Sequence, residues 1–336
     1  QQADEAVSFE DGQMANAVAN HGGQRLLQGS IRTGHHWILG HPFGYRHRAP
    51  DSTGRRHIPG RARTGGGGDG GRLLGSEGWS AQRRQASVKD EQGREIELSF
   101  VDLQPDNPQW ETPMVFIHGA AGHFSQWGNQ LEFFRTRCRC LALDLRGHGN
   151  SHRPSWSNYS AEEFADDVLM VLEHAGVKGP IVLVGHSFGG AVATVFTLRH
   201  PERVAKLALL STTGTIFLGV SVMLLMKAPA FLLSPVQRFF QTRVGAPVAV
   251  LKKLVPNVDA WDGWDLYPQI HVPTLVMCGE LDRLTKPKQV RRMAEAIPQV
   301  HYEGISFSAH LPQLERPARV NEALLTFVKG KSERPF

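Results

Sequence analysis

Ser187 is the residue of this chain best placed to do chemistry, at the centre of Gly185-His186-Ser187-Phe188-Gly189-Gly190. The preceding run, Pro180-Ile181-Val182-Leu183-Val184, is apolar and β-branched and predicts a buried strand. The following run, Ala191 to His200, predicts a helix that ends at Pro201. A G-x-S-x-G sequence between a strand and a helix makes a nucleophile elbow, a turn so sharp that only glycine fits at 185 and 189. The serine is then held on strained backbone with its hydroxyl above the sheet. The helix behind it aims free N–H groups and its positive dipole end at the same point.

A serine hydroxyl is a weak nucleophile until a base takes its proton. Histidine suits that role because it titrates near neutrality, and a carboxylate behind it fixes the tautomer and stabilises the imidazolium. Among sixteen histidines, His310 is the candidate base, since Ser306-Phe307-Ser308-Ala309-His310 forms a loop between the last predicted strand and a helix. His186 adjoins the serine, so its side chain is directed elsewhere. His118 and His148 lie in tight turns and are read as structural, His118 bracing the small-residue turn Gly119-Ala120-Ala121-Gly122. Gly279-Glu280-Leu281-Asp282, after the strand Thr274–Met277, offers two candidate carboxylates. Asp282 lies further along that loop, and Glu280 is the alternative. The preceding strand runs into Ser211-Thr212-Thr213, which holds no carboxylate.

The elements that must position these residues are continuous apolar strands. Met114–Ile117, Cys140–Leu143, Ile181–Val184, Val204–Leu210 and Thr274–Met277 follow an alternating, half-exposed strand at Glu95–Val101. Helical patterns lie between them, near 125–137, 160–176, 188–200, 286–297 and 313–330. Strands alternating with helices imply a parallel sheet covered on both faces, with chemistry at its carboxyl edge. Residues 213–268 break the rhythm with apolar helix-like segments, Pro229, Pro235, Pro247 and Pro256, then Trp261, Trp264 and Tyr267. They are read as a helical cap inserted after the sixth strand, and 85–212 with 269–336 as the core.

These motifs together resemble the α/β-hydrolase superfamily, in particular its serine-nucleophile, cap-bearing esterases and lipases. The likeness is carried by His118-Gly119, Asp144-x-Arg146-Gly147-His148-Gly149-x-Ser151, the elbow, Gly279-x-x-Asp282 and His310, in family order over about residues 90–330. It implies a mostly parallel eight-stranded sheet, and it favours Asp282 through the G-x-x-D pattern. It also implies an oxyanion hole from the backbone N–H groups of Ala120 and Phe188. Serine at 187 argues against epoxide or haloalkane hydrolysis, which in this fold uses aspartate. His310 to Glu315 approaches an H-x-x-x-x-D acyltransferase pattern with Glu in the last place, and helix packing is the reading for Glu315.

Composition bounds the rest. Residues 1–84 hold eleven Arg, no Lys and seven acids, and so carry four of the five net positive charges. The body is nearly neutral and gives no electrostatic reason for a nucleic-acid partner. With six glycines between 65 and 71 and no sustained hydrophobic period, residues 1–84 read as a poorly ordered, non-catalytic extension. A histidine metal site on His35, His36, His41 and His47 and an Arg/Gly nucleic-acid arm are the competing readings. No signal peptide, membrane-spanning run, dinucleotide fingerprint, P-loop or zinc spacing is visible, so no cofactor, metal or transmembrane segment and a cytoplasmic location are expected. Cys138, Cys140 and Cys278 are read as buried apolar residues. The expected activity is hydrolysis of carboxylic esters with an apolar acyl or aryl group. Carbon–carbon bond hydrolysis, lactone hydrolysis or perhydrolysis on the same triad is the alternative, and a non-catalytic ligand-binding protein is a third reading.

Overall fold

Alternation along the apolar strands decides how the layers form. The computed structural model describes residues 82–90, 92–229 and 245–330. In β3 (Met114–Ile117), Val115 and Ile117 enter one core while Met114 and Phe116 enter the other. In β5 (Ile181–His186), Ile181 and Leu183 go one way and Val182 and Val184 the opposite way. Strands apolar at every position are therefore those covered on both faces.

Within the described residues the strands form one sheet in the order β1-β2-β4-β3-β5-β6-β7-β8. Here β1 is Arg83–Lys89, β2 Glu95–Leu103, β4 Cys140–Leu143, β6 Val204–Leu210, β7 Thr274–Gly279 and β8 Val300–Ile305. β2 pairs antiparallel with β1 and β4, and every later pairing is parallel. Helix α1 (Gly128–Phe134) and helix α7 (Pro317–Lys329) cover one face. Helices α2 (Ala161–His174), α3 (Phe188–Arg199) and α6 (Pro287–Glu295) cover the other. α2 starts where Ser160 accepts from the Glu163 N–H while the Glu163 carboxylate accepts from the Tyr159 N–H at 2.6 Å.

The first strand begins at Arg83, two residues inside the segment assigned to the extension. Cross-strand pairing explains this: Arg83 lies opposite Val101, Arg84 opposite Phe100, and the Arg84 guanidinium meets Asp102 at 2.9 Å. His35, His36, His41 and His47 lie outside the described residues. Arg291 and Arg292 on α6 are exposed, but their guanidinium groups lie over the rings of Tyr302 (4.5 Å) and Trp264 (4.4 Å). Cys138, Cys140 and Cys278 are free and buried.

Between β6 and β7 the chain leaves the sheet. The described part of this insertion holds α4 (Val220–Lys227) and α5 (Val248–Asp259), which pack against each other. Val248, Val250, Leu251, Leu254 and Val258 of α5 are buried. The insertion is tied at its base by the Trp261 indole N–H, which donates to the Thr213 carbonyl at 3.1 Å. Among the described residues, no helix is long and apolar enough to cross a membrane.

Candidate active site

At the junction of β5 and α3, Ser187 has φ 53° and ψ −125°, a backbone that L-residues rarely adopt. The crossing is tight enough that the glycines have no substitutes. A Cβ on Gly185 would strike the Gly189 carbonyl, and one on Gly189 would strike the carbonyls of His118 and Ile117. A Cβ on Gly190 would sit 2.6 Å from Thr212 Cγ2. The Ser187 N–H donates to the Leu210 carbonyl at 2.9 Å, pinning the elbow to the end of β6.

The β7 and β8 loops deliver the other two side chains. A Cβ on Gly279 would meet the Ala309 carbonyl, so the end of β7 passes directly beneath the His310 loop. The Leu281 N–H donates to the Ser308 carbonyl at 2.8 Å and locks the two loops together. His310 Nδ1 then lies 2.9 Å from Asp282 Oδ2, and His310 Nε2 lies 3.1 Å from Ser187 Oγ. Glu280 is exposed and leans toward Gly304 instead, its Oε1 3.2 Å from where a Gly304 Cβ would stand.

Asp282 is buried, and every lone pair facing the protein has a donor. Oδ1 accepts from the N–H groups of Leu284 (2.9 Å) and Thr285 (3.0 Å), and Oδ2 accepts from Thr285 Oγ1 at 2.6 Å and from His310. Burial pushes its carboxyl up, but the His310 and Thr285 hydrogen bonds and the His310 charge outweigh burial and hold it below the ordinary carboxylate range. The acid is therefore an anion wherever the protein is folded at neutral pH.

The small-residue turn closes with Gly122 N–H on the Gly119 carbonyl at 3.0 Å. A Cβ on Gly119 would sit 3.0 Å from Ser187 Cβ, so this backbone touches the serine. Phe188 is the first residue of α3, a position whose N–H has no intrahelical acceptor. His118 donates through Nδ1 to the Gly119 carbonyl (2.8 Å) and accepts at Nε2 from the Leu145 N–H (3.1 Å), tying the turn to the chain beyond β4. His148 donates to the Arg146 carbonyl and accepts from the Ala121 N–H at 3.3 Å. Burial pushes both imidazoles down to about 3, so both stay neutral.

Three contributions escape the sequence motifs. His186 Nε2 donates to the His310 carbonyl at 2.7 Å, linking the elbow to the His310 loop, and burial pushes its imidazole down to about 3. Glu315, read as serving helix packing, instead accepts from Ser308 Oγ (3.0 Å) and from the N–H groups of Ala309 and Leu311, clasping the loop that carries His310. Thr285 holds Asp282, as described above. His186 is signalled only by its place beside Ser187 and Glu315 only by its spacing from His310, and Thr285 has no signal beyond standing three residues after an Asp.

Beside Phe188 a cavity of about 300 Å³ opens between the start of α2 and the end of α5. Its walls include Phe188, Ala161, Trp261 and Leu266, with Asn257 and Asp262 among its polar groups.

Comparisons with known proteins agree with this architecture. The profile of a family described as the alpha/beta hydrolase fold matches residues 112–260. Protein ABHD8 of Bos taurus is 25% identical over 309 residues, covering 84% of this chain and 68% of that protein. The Homo sapiens protein of the same name aligns over 57% of its length, so this chain spans 57% to 68% of the length of these relatives. Lipase 3 of Moraxella sp. (strain TA144) is 25% identical over 64% of this chain and 76% of its own. A solved thermophilic esterase from Thermogutta terrifontis superposes with a TM-score of 0.63 at 27% identity, over 74% of this chain and 98% of that one.

Proposed function

We propose that this chain, an α/β-hydrolase-fold protein, is a serine hydrolase that cleaves carboxylic esters through an acyl-enzyme on Ser187. The reading rests above all on the continuous line from Ser187 Oγ to His310 Nε2 (3.1 Å) and from His310 Nδ1 to Asp282 Oδ2 (2.9 Å). Likeness to proteins named as an esterase and a lipase supports it.

The steps follow from the geometry. As Ser187 Oγ attacks an ester carbonyl, His310 Nε2 takes its proton, and ionised Asp282 stabilises the imidazolium. The carbonyl oxygen becomes an anion beside the N–H groups of Phe188 and Ala120. One such donor is worth about 3–4 kcal/mol in the transition state. His310 returns the proton to the departing alcohol, leaving the acyl group on Ser187. Water then attacks the acyl-enzyme, giving its proton to His310, and the acid leaves as serine recovers its hydrogen.

Residues 213–268 act as a cap in this reading. The cavity beside Phe188 is walled by Trp261 and Leu266 and equally by the polar Ser160, Asn257 and Asp262, so it would take a small group with both apolar and polar surface.

A panel of p-nitrophenyl esters from acetate to palmitate, with a serine-directed fluorophosphonate probe, tests the proposal. Ser187→Ala should abolish labelling and lower kcat by at least about 10⁴-fold. Labelling that survives Ser187→Ala moves the nucleophile elsewhere. Labelling at Ser187 without ester turnover would transfer the chemistry to lactones, carbon–carbon bonds or peracids. Neither labelling nor turnover would leave a ligand-binding protein.

A further inference from the structure

The insertion returns to the core through Gly245, and this contact falls on the turn that carries Ala120. The Gly245 N–H donates to the Ala121 carbonyl at 2.7 Å, and the Gly245 carbonyl accepts from the Gly149 N–H at 2.7 Å. His148, next to Gly149, accepts the Ala121 N–H at 3.3 Å. Both polar groups of Ala121 are thus held, one by the insertion and one by the loop after β4, and the two holders are themselves joined.

Ala121 needs holding because its φ is 60°, a left-handed value at the third position of the Gly119–Gly122 turn. That position in a turn of this kind favours glycine, and an alanine left to itself prefers right-handed backbone. Gly245 is also pressed onto the same turn, since a Cβ there would collide with the Gly122 carbonyl oxygen and lie 3.1 Å from His123 Cβ. Ala246, next along, is buried in the core, which keeps the strap from yielding outward.

We infer that Gly245 is a positioning residue for the oxyanion turn: with His148 it keeps Ala121 left-handed and thereby sets the Ala120 amide relative to Ser187. This rests on the serine-hydrolase reading above for its catalytic consequence, and on the turn's geometry for its structural one. The insertion then supplies more than a cover for the substrate, because its backbone completes the support of the catalytic turn. Ser187, His310 and Asp282 make none of these contacts, so their proton transfers are independent of the clamp.

The test compares the full-length wild type with Gly245→Ala and His148→Phe, using p-nitrophenyl butyrate kinetics and amide spectra of ¹⁵N-alanine-labelled protein. His148→Phe keeps a ring in place and removes the acceptor for Ala121. In each folded variant kcat should fall at least about tenfold, short of the 10²–10³-fold loss of a whole oxyanion donor. KM should stay within about threefold, and the pH profile of kcat/KM should not move, which separates the clamp from general loosening of the fold. The Ala120 and Ala121 amide resonances should shift. A folded Gly245→Ala protein with kcat within twofold of wild type overturns the inference. If Gly245→Ala does not accumulate, the same result in His148→Phe overturns it. If the wild type neither turns over esters nor labels at Ser187, the hydrolase reading fails, and the spectra alone decide. Shifted Ala120 and Ala121 amides in Gly245→Ala then support the clamp, and unmoved ones overturn it.

Discussion

At the scale of single residues, the environment of Asp282 separates it from its neighbour Glu280. Asp282 is buried with four donors on two oxygens, one of them the imidazole that faces Ser187. Glu280 is exposed and has no contact with His310. Replacing Asp282 by Asn keeps the shape but offers an amide N–H or a neutral carbonyl where imidazolium needs an anion. It should lower kcat by about 10⁴-fold on any ester the wild type cleaves, while Glu280→Gln stays within about threefold. Steady-state kinetics on one p-nitrophenyl ester checks both. A large loss in Glu280→Gln with a mild one in Asp282→Asn would exchange their roles. The sequence favours Asp282 over Glu280 only through its place further along the loop and the G-x-x-D pattern. What separates them is the Gly279 crossing under Ala309, a three-dimensional fact with no signature beyond the glycine itself.

At the scale of elements, the site stands on close backbone crossings, and the one inside the elbow is the best test of the design. Gly189 fits α3 against β3 so tightly that a methyl group meets the Ile117 carbonyl at 2.7 Å and also strikes that of His118. Backbone carbonyls cannot swing aside as side chains do. Gly189→Ala should therefore cost about 2–3 kcal/mol in urea unfolding, toward the upper end for overpacking. Gly179→Ala is the control, since nothing lies within 4 Å of a Cβ there, and its effect should stay within about 1 kcal/mol. Equal losses in the two variants would show that the elbow can relax. The sequence made this crossing legible, because continuous apolar runs name the central strands and the glycine pair names the turn. It left the outer strands obscure. β8 reads Val300-His301-Tyr302-Glu303-Gly304-Ile305 and is mostly half-buried, and β1 carries Arg83 and Arg84, so neither has the clean period of a central strand. Those two hold the sheet's edges, where register comes from partners rather than from the segment's own pattern. The support of the site was illegible for a related reason: Gly245 acts through its own backbone, and His186 and Glu315 hold mostly backbone groups of the His310 loop, which have no side-chain code.

At the scale of the whole molecule, the same turns that build the site make folding sensitive to acid. His118, His148 and His186 are buried and pushed from 6.5 down to about 3, burial being the main cause in each. Between about pH 6.5 and 3 the unfolded chain binds protons at these three positions and the folded chain does not, so stability rises with pH across that window and is lost on acidification. Asp167 runs the other way. Burial lifts its carboxyl from 3.8 to about 6, and the Arg146 guanidinium offsets this only in part, so the folded state holds one extra proton there over part of the same range. His123 is lowered as well, burial again the main cause, so four histidines against one carboxyl leave a net of up to three protons. The slope is then at most roughly 4 kcal/mol per pH unit between about pH 6 and 4. A domain of ordinary stability, about 5–15 kcal/mol, loses much of it over two such units. Urea midpoints at pH 7.5, 6 and 5 should fall progressively, with a gentle slope above 6 and a steep one below. A flat profile would mean that these histidines take up protons while folded, and their hydrogen bonds forbid it. His118 Nε2 and His148 Nε2 each accept a backbone N–H that a protonated ring would face with another N–H. Acid unfolding should therefore begin at the turn around Ala120 and Ala121, where both rings are anchored. Ester turnover should disappear at a higher pH than the far-UV helical signal does.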